Sequence, residues 1–288
     1  YLVFLIISVL SLFEVFYRYQ VMDFYELQLK TLNTKKELKS KKKRVLLIGD
    51  SFSAHVDGYI DGLRKSDSTV TIINSSVPGT GICQHTLLLK NRLQLVQPSK
   101  VIYQFYLGND LTDIDHPINF KKNSFLRNTY WFLGDHFLSL QFMNSRLSSL
   151  KFMFNKDEST TKPLHRKLFS IATYNQRSKI YINADPKALE NTVHLKGNKR
   201  KTFNQWEKKF TEFLSLIPDS VEVSFIAIPH CTQVNKKYQE QYRLLGADVT
   251  PNMFNINYTL LKEIKKRFPK VQILNPLPYF QQIKETEN

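Results

Sequence analysis

The chain has 288 residues, of which 42% are hydrophobic, so it is long enough for one sizeable core. Its two cysteines, Cys83 and Cys231, are too few for a disulfide scaffold or a zinc site. The formal net charge of +16 invites a nucleic-acid reading, yet Lys30, Lys35, Lys36, Lys39, Lys41, Lys42, Lys43 and Arg44 crowd one short stretch, and no nucleic-acid partner is expected.

In chain order, the first predicted element covers residues 1–20. Tyr1 to Phe13 are apolar apart from Ser8 and Ser11, and the stretch continues past Glu14 to Phe16-Tyr17. This is short of the roughly 20 apolar residues that span a bilayer. The sequence opens inside the apolar run and without a methionine, so the expectation is a transmembrane helix incomplete at its start. No A-x-A-type cleavage site comes after it, which favours an uncleaved anchor over a signal peptide; a buried amphipathic helix is the alternative. Glu14 and Arg18 stand at i,i+4 and can pair. Residues 21–43 read as a basic juxtamembrane linker attracted to anionic headgroups. By the positive-inside rule that linker would keep the domain on its carboxyl side in the cytoplasm.

The run Val45-Leu46-Leu47-Ile48 reads as a buried strand that breaks into Gly49-Asp50-Ser51, placing a serine hydroxyl at a strand end. A serine attacks a carbonyl only with a base to take its proton and donors for the resulting oxyanion. A helix is expected from Ala54 to Lys65 and a second strand from Thr69 to Ile73. Next comes Asn74-Ser75-Ser76-Val77-Pro78-Gly79-Thr80-Gly81, with glycines that can bring backbone N–H groups close to a substrate. A helix over His85 to Val96 leads to a third strand, Val101 to Tyr106, which ends in Leu107-Gly108-Asn109-Asp110. If these strands are parallel neighbours, Ser51, Gly79 and Asn109 emerge together at their carboxyl ends.

Residues 111–201 form an insertion rich in aromatic and basic residues, from Phe120, Tyr130 and Trp131 to Phe152 and Phe154, with a flexible loop at Asp157 to Pro163. It reads either as a substrate lid, as a membrane-facing segment, or as extra helices with their own core. Trp206, Phe210, Phe213, Leu214 and Ile217 then repeat at helical spacing, a stripe that suits core packing. A strand at Val221 to Ile228, a helix through Ile256 to Phe268 and a strand at Val271 to Leu274 complete the alternation. The fold class is therefore α/β, a three-layer α/β/α flavodoxin-like parallel sheet.

Three ordered blocks, Gly49-Asp50-Ser51, Gly79 and Gly108-Asn109-Asp110, resemble the first three conserved blocks of the SGNH (GDSL-like) hydrolases. Pro229 and Gln233-Val234 resemble the anchored bacterial members less specifically. The likeness covers Arg44 to Asp110 well and Val221 to the end loosely. It implies a domain over residues 44–288 in which Ser51 is the nucleophile. The Ser51 N–H, the Gly79 N–H and the Asn109 side chain would form the oxyanion hole.

The family's last block, an Asp-x-x-His element that supplies base and orienting aspartate, has no counterpart after Ile273, and no histidine stands beyond His230. The expectation is a base beyond Asn288. His230, at a strand end, is the best internal substitute; His55 and His116 are lesser ones. The resemblance implies a serine esterase or deacylase acting on ester-linked acyl groups of envelope sugars or lipids, membrane-anchored with its catalytic domain extracytoplasmic. The alternatives are an O-acetyltransferase on cell-surface polysaccharide, since a sugar hydroxyl can replace water as acceptor, and a non-catalytic carbohydrate-binding module. A membrane-surface or nucleic-acid binder is a further reading. No metal or organic cofactor is expected; the pairs Cys83/His85 and His230/Cys231 are weighed as ligands and set aside.

Overall fold

The computed structural model describes residues 1–40, 42–55, 58–115, 125–154 and 169–282. Three helices, α1 (Leu2–Tyr19), α2 (Glu26–Leu32) and α3 (Lys35–Leu38), precede strand β1 (Lys43–Ile48). Helix α4 (Tyr59–Ser66), β2 (Val70–Asn74), α5 (Ile82–Val96) and β3 (Lys100–Tyr106) then alternate. Helices α6 (Thr112–Asp115), α7 (Phe125–His136), α8 (Ser139–Phe154), α9 (Gln176–Ala184), α10 (Ala188–His194) and α11 (Lys199–Ser215) come next. The chain closes through β4 (Glu222–Ile228), α12 (Cys231–Val234), α13 (Lys236–Leu244), α14 (Thr259–Arg267), β5 (Gln272–Leu274) and α15 (Leu277–Gln282). The loop expected at Asp157 to Pro163 lies outside the described residues.

The five strands pair in parallel in the order β2-β1-β3-β4-β5. This is the doubly wound 2-1-3-4-5 order, in which the chain moves to one side of β1 and then returns to the other. Side chains alternate across β1. Leu46 and Ile48 join the large core that also holds residues of α5, α11 and α14, whereas Val45 and Leu47 pack with Ile60 of α4 and Ile72 on the opposite face. Both faces of β1 are thus covered, and that is why its sequence is a continuous apolar run rather than an alternating one.

The helical stripe on α11 is core. Trp206, Phe210 and Phe213 are fully buried with Tyr103, Phe105 and Phe225 of β3 and β4. Ring centroids lie 4.8 Å apart for Trp206 and Phe210, 5.1 Å for Tyr103 and Phe210, and 5.2 Å for Phe105 and Trp206. Helix α5 starts at Ile82, ahead of the expected His85, because the Gln84 side chain accepts the Gly81 N–H at 3.2 Å and so caps an earlier first turn.

The amino-terminal region departs from expectation. The helix expected over residues 1–20 forms as α1, and among the described residues no helix is long and apolar enough to cross a membrane. Instead the second half of α1 docks on the insertion. Glu14 pairs with Arg18 at 2.5 Å, as the spacing predicts, but its carboxylate also accepts the Leu138 and Ser139 N–H groups at 2.9 and 2.8 Å, capping α8. Burial pushes the Glu14 carboxyl up, but these hydrogen bonds outweigh it and leave it below its ordinary range. Tyr17 and Tyr25 share a 2.6 Å hydrogen bond, and both pack against Phe142 of α8.

Residues 21–38, expected to be linker, hold α2 and α3 and join the folded body. Asp23 and the buried Arg92 of α5 form an ion pair, and Arg92 also donates to Ser75 Oγ at 2.6 Å. Composition conceals this, since basic side chains on short helices look the same as a solvated tether. Truncating Trp206 to alanine is expected to cost about 3–5 kcal/mol, because it empties the centre of the aromatic core. Equilibrium urea unfolding measures this, and a loss under about 1 kcal/mol would mean α11 does not seat on the sheet as described.

Candidate functional site

A doubly wound sheet leaves a crevice at the carboxyl ends of the two strands between which the chain reverses its winding, here β1 and β3. Ser51 lies in the turn that leaves β1, and Asn109 lies in the turn that leaves β3. Gly79 lies beyond the end of β2, the neighbour of β1 on its other side. All three line one cleft of about 1050 Å³. The sequence therefore predicts their convergence, and the register of three parallel strands produces it.

Ser51 is exposed, and among the described residues its side chain has no hydrogen-bond partner. Its turn is built from below. Gln104, fully buried on β3, accepts the Asp50 N–H and the Ser53 hydroxyl, each at 3.0 Å. Any side chain at position 49 would collide with Gln104, so Gly49 is there for close approach. Asp50 accepts the Phe52 N–H at 2.9 Å, an Asx-type turn that throws Ser51 outward. Gln104 is the residue that sequence reasoning misses; its signal is one amide within the apolar strand Val101-Ile102-Tyr103-Gln104-Phe105-Tyr106.

Gly79 has φ +72°, the left-handed region that glycine enters without strain. The Asn109 carboxamide has its oxygen buried without a hydrogen-bond partner and its nitrogen in contact with Asp50, while the residue as a whole is half-buried and lines the cleft. That nitrogen carries two protons, so the contact with Asp50 leaves one unspent. Asp110 is buried and accepts the Tyr106 N–H at 3.0 Å, holding the turn as expected. Burial, reinforced by the charges of Asp50 and Asp113, pushes the Asp110 carboxyl well above its ordinary range. Asp50 is also raised by burial, offset in part by the Phe52 N–H and the Gln104 and Asn109 side chains.

His230 is brought to the cleft wall but not into the role of base. It caps α12, and its Nδ1 accepts the Thr232 N–H at 3.3 Å and lies 2.9 Å from the Thr232 hydroxyl. A ring nitrogen that accepts a backbone N–H carries no proton, so the neutral imidazole has its proton on Nε2. Neither nitrogen is then free to take a proton from Ser51. Burial among Tyr106 and Tyr242 lowers the His230 pKa to about 4, so the ring is neutral near pH 7. His55 is exposed and outside the cleft lining, and His116 lies outside the described residues.

Among the described residues no group of three or more His, Cys, Asp or Glu side chains is placed to hold a metal ion. Cys83 and Cys231 are free thiols, and burial pushes the Cys231 thiol up to about 11. A separate hollow is framed by Lys35, Lys36, Lys39, Ser40 and Lys42. Fold and site together define an α/β protein with a serine and an asparagine at the switch point of a doubly wound sheet and a left-handed glycine after the neighbouring strand. Comparison with protein-family models gives no match for the chain, and comparison with curated proteins gives none either.

The depressed His230 pKa has a signed consequence. In the unfolded chain the ring takes a proton near pH 6.5, whereas in the folded chain it does so only near pH 4. The unfolded state thus binds more protons in that window, and folding loses stability as pH falls through it. Stability of the protein relative to His230→Asn is expected to fall by about 1.4 kcal/mol per pH unit across this window and to be level above pH 7. Urea unfolding at stepped pH tests this, and two parallel stability curves would refute it.

Proposed function

We propose that the protein is a serine esterase or deacylase of the SGNH (GDSL-like) type. In this reading Ser51 attacks an ester carbonyl, and the oxyanion is held by the Ser51 N–H, the Gly79 N–H and the Asn109 amide. The observation that carries it is the convergence of Ser51, Gly79 and Asn109 on one cleft, each from the carboxyl end of a neighbouring parallel strand. Such preorganised donors, aimed where charge develops, are the largest single contribution in many acyl-transfer enzymes. The base that takes the Ser51 proton is assigned to residues outside those described, because His230 has no free acceptor. Water would resolve the acyl-enzyme in a hydrolase, and a sugar hydroxyl would do so in an O-acetyltransferase.

The cleft supports a substrate larger than an acyl group. Helices α7, α8 and α9 contribute Trp131, Gln141, Asn144 and Tyr181 to its lining. Flat aromatic faces beside amide donors and acceptors suit the ring faces and hydroxyls of a sugar, which favours acylated envelope saccharides over simple lipids. Action at a membrane surface outside the cytoplasm belongs to the same proposal, supported by the apolar α1, on which Phe4, Leu5, Ile7 and Val9 are all exposed. A second reading, a carbohydrate-binding module without catalysis, is favoured by one observation: Ser51 has no hydrogen-bonded base among the described residues.

A fluorophosphonate probe separates the two. Labelling of the protein that is abolished in Ser51→Ala is expected for an esterase. Absence of labelling, with retained binding of an O-acetylated oligosaccharide, would establish the binding module and overturn the esterase. With an aryl acetate substrate, Asn109→Ala is expected to lower kcat by roughly 10²–10³-fold, the loss that attends removal of one oxyanion donor. An unchanged kcat would remove Asn109 from the oxyanion hole.

A further inference from the structure

His85 is a fully buried histidine that the proposed chemistry does not use. It sits on the first turn of α5, between the two loops that carry the site. Its Nε2 lies 3.0 Å from the Thr80 hydroxyl, its Nδ1 lies 3.4 Å from the Tyr103 hydroxyl, and its ring meets Tyr103 edge-on. The Gly49 carbonyl, two residues before Ser51, is a further neighbour of the ring and can only accept a hydrogen bond.

The direction of the Thr80 bond depends on where the Thr80 proton goes. A threonine hydroxyl has one proton, and Thr80 spends it on the Val77 carbonyl at 2.7 Å. With that proton on the Val77 carbonyl, Thr80 Oγ1 can only accept, and the His85 tautomer that meets it carries the ring proton on Nε2. Burial depresses the His85 pKa to about 3, with the Gly49 carbonyl opposing weakly, so this neutral tautomer persists across the physiological range.

These bonds enclose Gly79. The Val77 N–H donates to the Gly49 carbonyl at 3.0 Å, which pins the start of the Gly79 turn to the nucleophile turn. The Thr80 hydroxyl closes the same turn onto the Val77 carbonyl from its far side, and His85 holds Thr80. Gly79, with φ +72°, has open space where a Cβ would be, and its turn is pinned at both ends.

We propose that His85 is a positioning residue, whose Nε2–H holds the Thr80 hydroxyl so that the Gly79 N–H points at the oxyanion formed by attack of Ser51. The catalytic part of this claim rests on the esterase reading, while the brace itself does not. His85 touches no substrate and exchanges no proton; it keeps a donor in register, and a misplacement of about 1 Å at such a donor can cost roughly 10²-fold in rate.

Three variants test it: His85→Leu removes the donor at similar bulk, His85→Gln returns an N–H at a comparable reach, and Thr80→Val removes the acceptor without altering His85. With an aryl acetate, His85→Leu and Thr80→Val are expected to lower kcat by roughly 10²-fold with KM unchanged, and His85→Gln to recover most of it. Amide hydrogen exchange across residues 77–81 is expected to quicken in His85→Leu and Thr80→Val and not in His85→Gln. If His85→Leu does not fold, Thr80→Val carries the same comparison. Full kcat in folded Thr80→Val, or a loss in His85→Leu that His85→Gln does not restore, would overturn the proposal. Should the unaltered protein prove unreactive toward both ester and fluorophosphonate, the esterase reading fails by itself; unchanged exchange at residues 77–81 in Thr80→Val would then refute the brace, and quickened exchange would uphold it.

Discussion

The parallel pairing of β1 between β2 and β3 governs where every group of the site can stand. Parallel strands present their carboxyl ends on one edge of a sheet, and a chain that winds away from β1 in both directions leaves a gap above it. Three short turns end at that gap, and a serine, a glycine and an asparagine occupy them. The buried amide of Gln104 fastens the first turn to the third strand, so the strand register is transmitted directly to the turn that carries Ser51.

Much of this is legible in the sequence. The five strands are where apolar runs predict them, because strands covered on both faces have few polar residues to blur the signal. The Trp206 stripe is legible as core because its helical period is strict and its residues are aromatic. Ser51, Gly79 and Asn109 are legible because each stands in a polar or glycine-containing break soon after such a run. Their grouping needs only the assumption that the strands lie side by side in parallel, and they do.

The features that the sequence conceals depend on contacts between residues brought together by the fold. Residues 21–43 look like a tether because lysines dominate them, but the deciding residues are Asp23, Tyr25 and Leu29, whose partners include residues of α1, α5 and α8 and the main core. The role of His230 is hidden for a different reason. Position at a strand end suggests a base, yet the tautomer depends on which hydrogen bond Nδ1 makes, and Thr232 two residues later decides it. His85 stands out in the sequence only as half of a weak metal pair with Cys83. Its partners Thr80, Tyr103 and Gly49 are assembled by the crossover from β2 through α5 to β3.

The Glu14 cap on α8 has a mechanical meaning. Helix α8 carries Gln141 and Asn144 in the cleft wall, and Gln141 accepts a hydrogen bond from Gln84 on α5 at 2.6 Å. A continuous series of polar joints thus runs from the exposed apolar helix α1, through Glu14, into the wall of the cleft and on to the helix that begins beside Gly79. A surface that immobilised α1 would act as a mounting bracket: through these joints it would set the compass bearing of the cleft mouth.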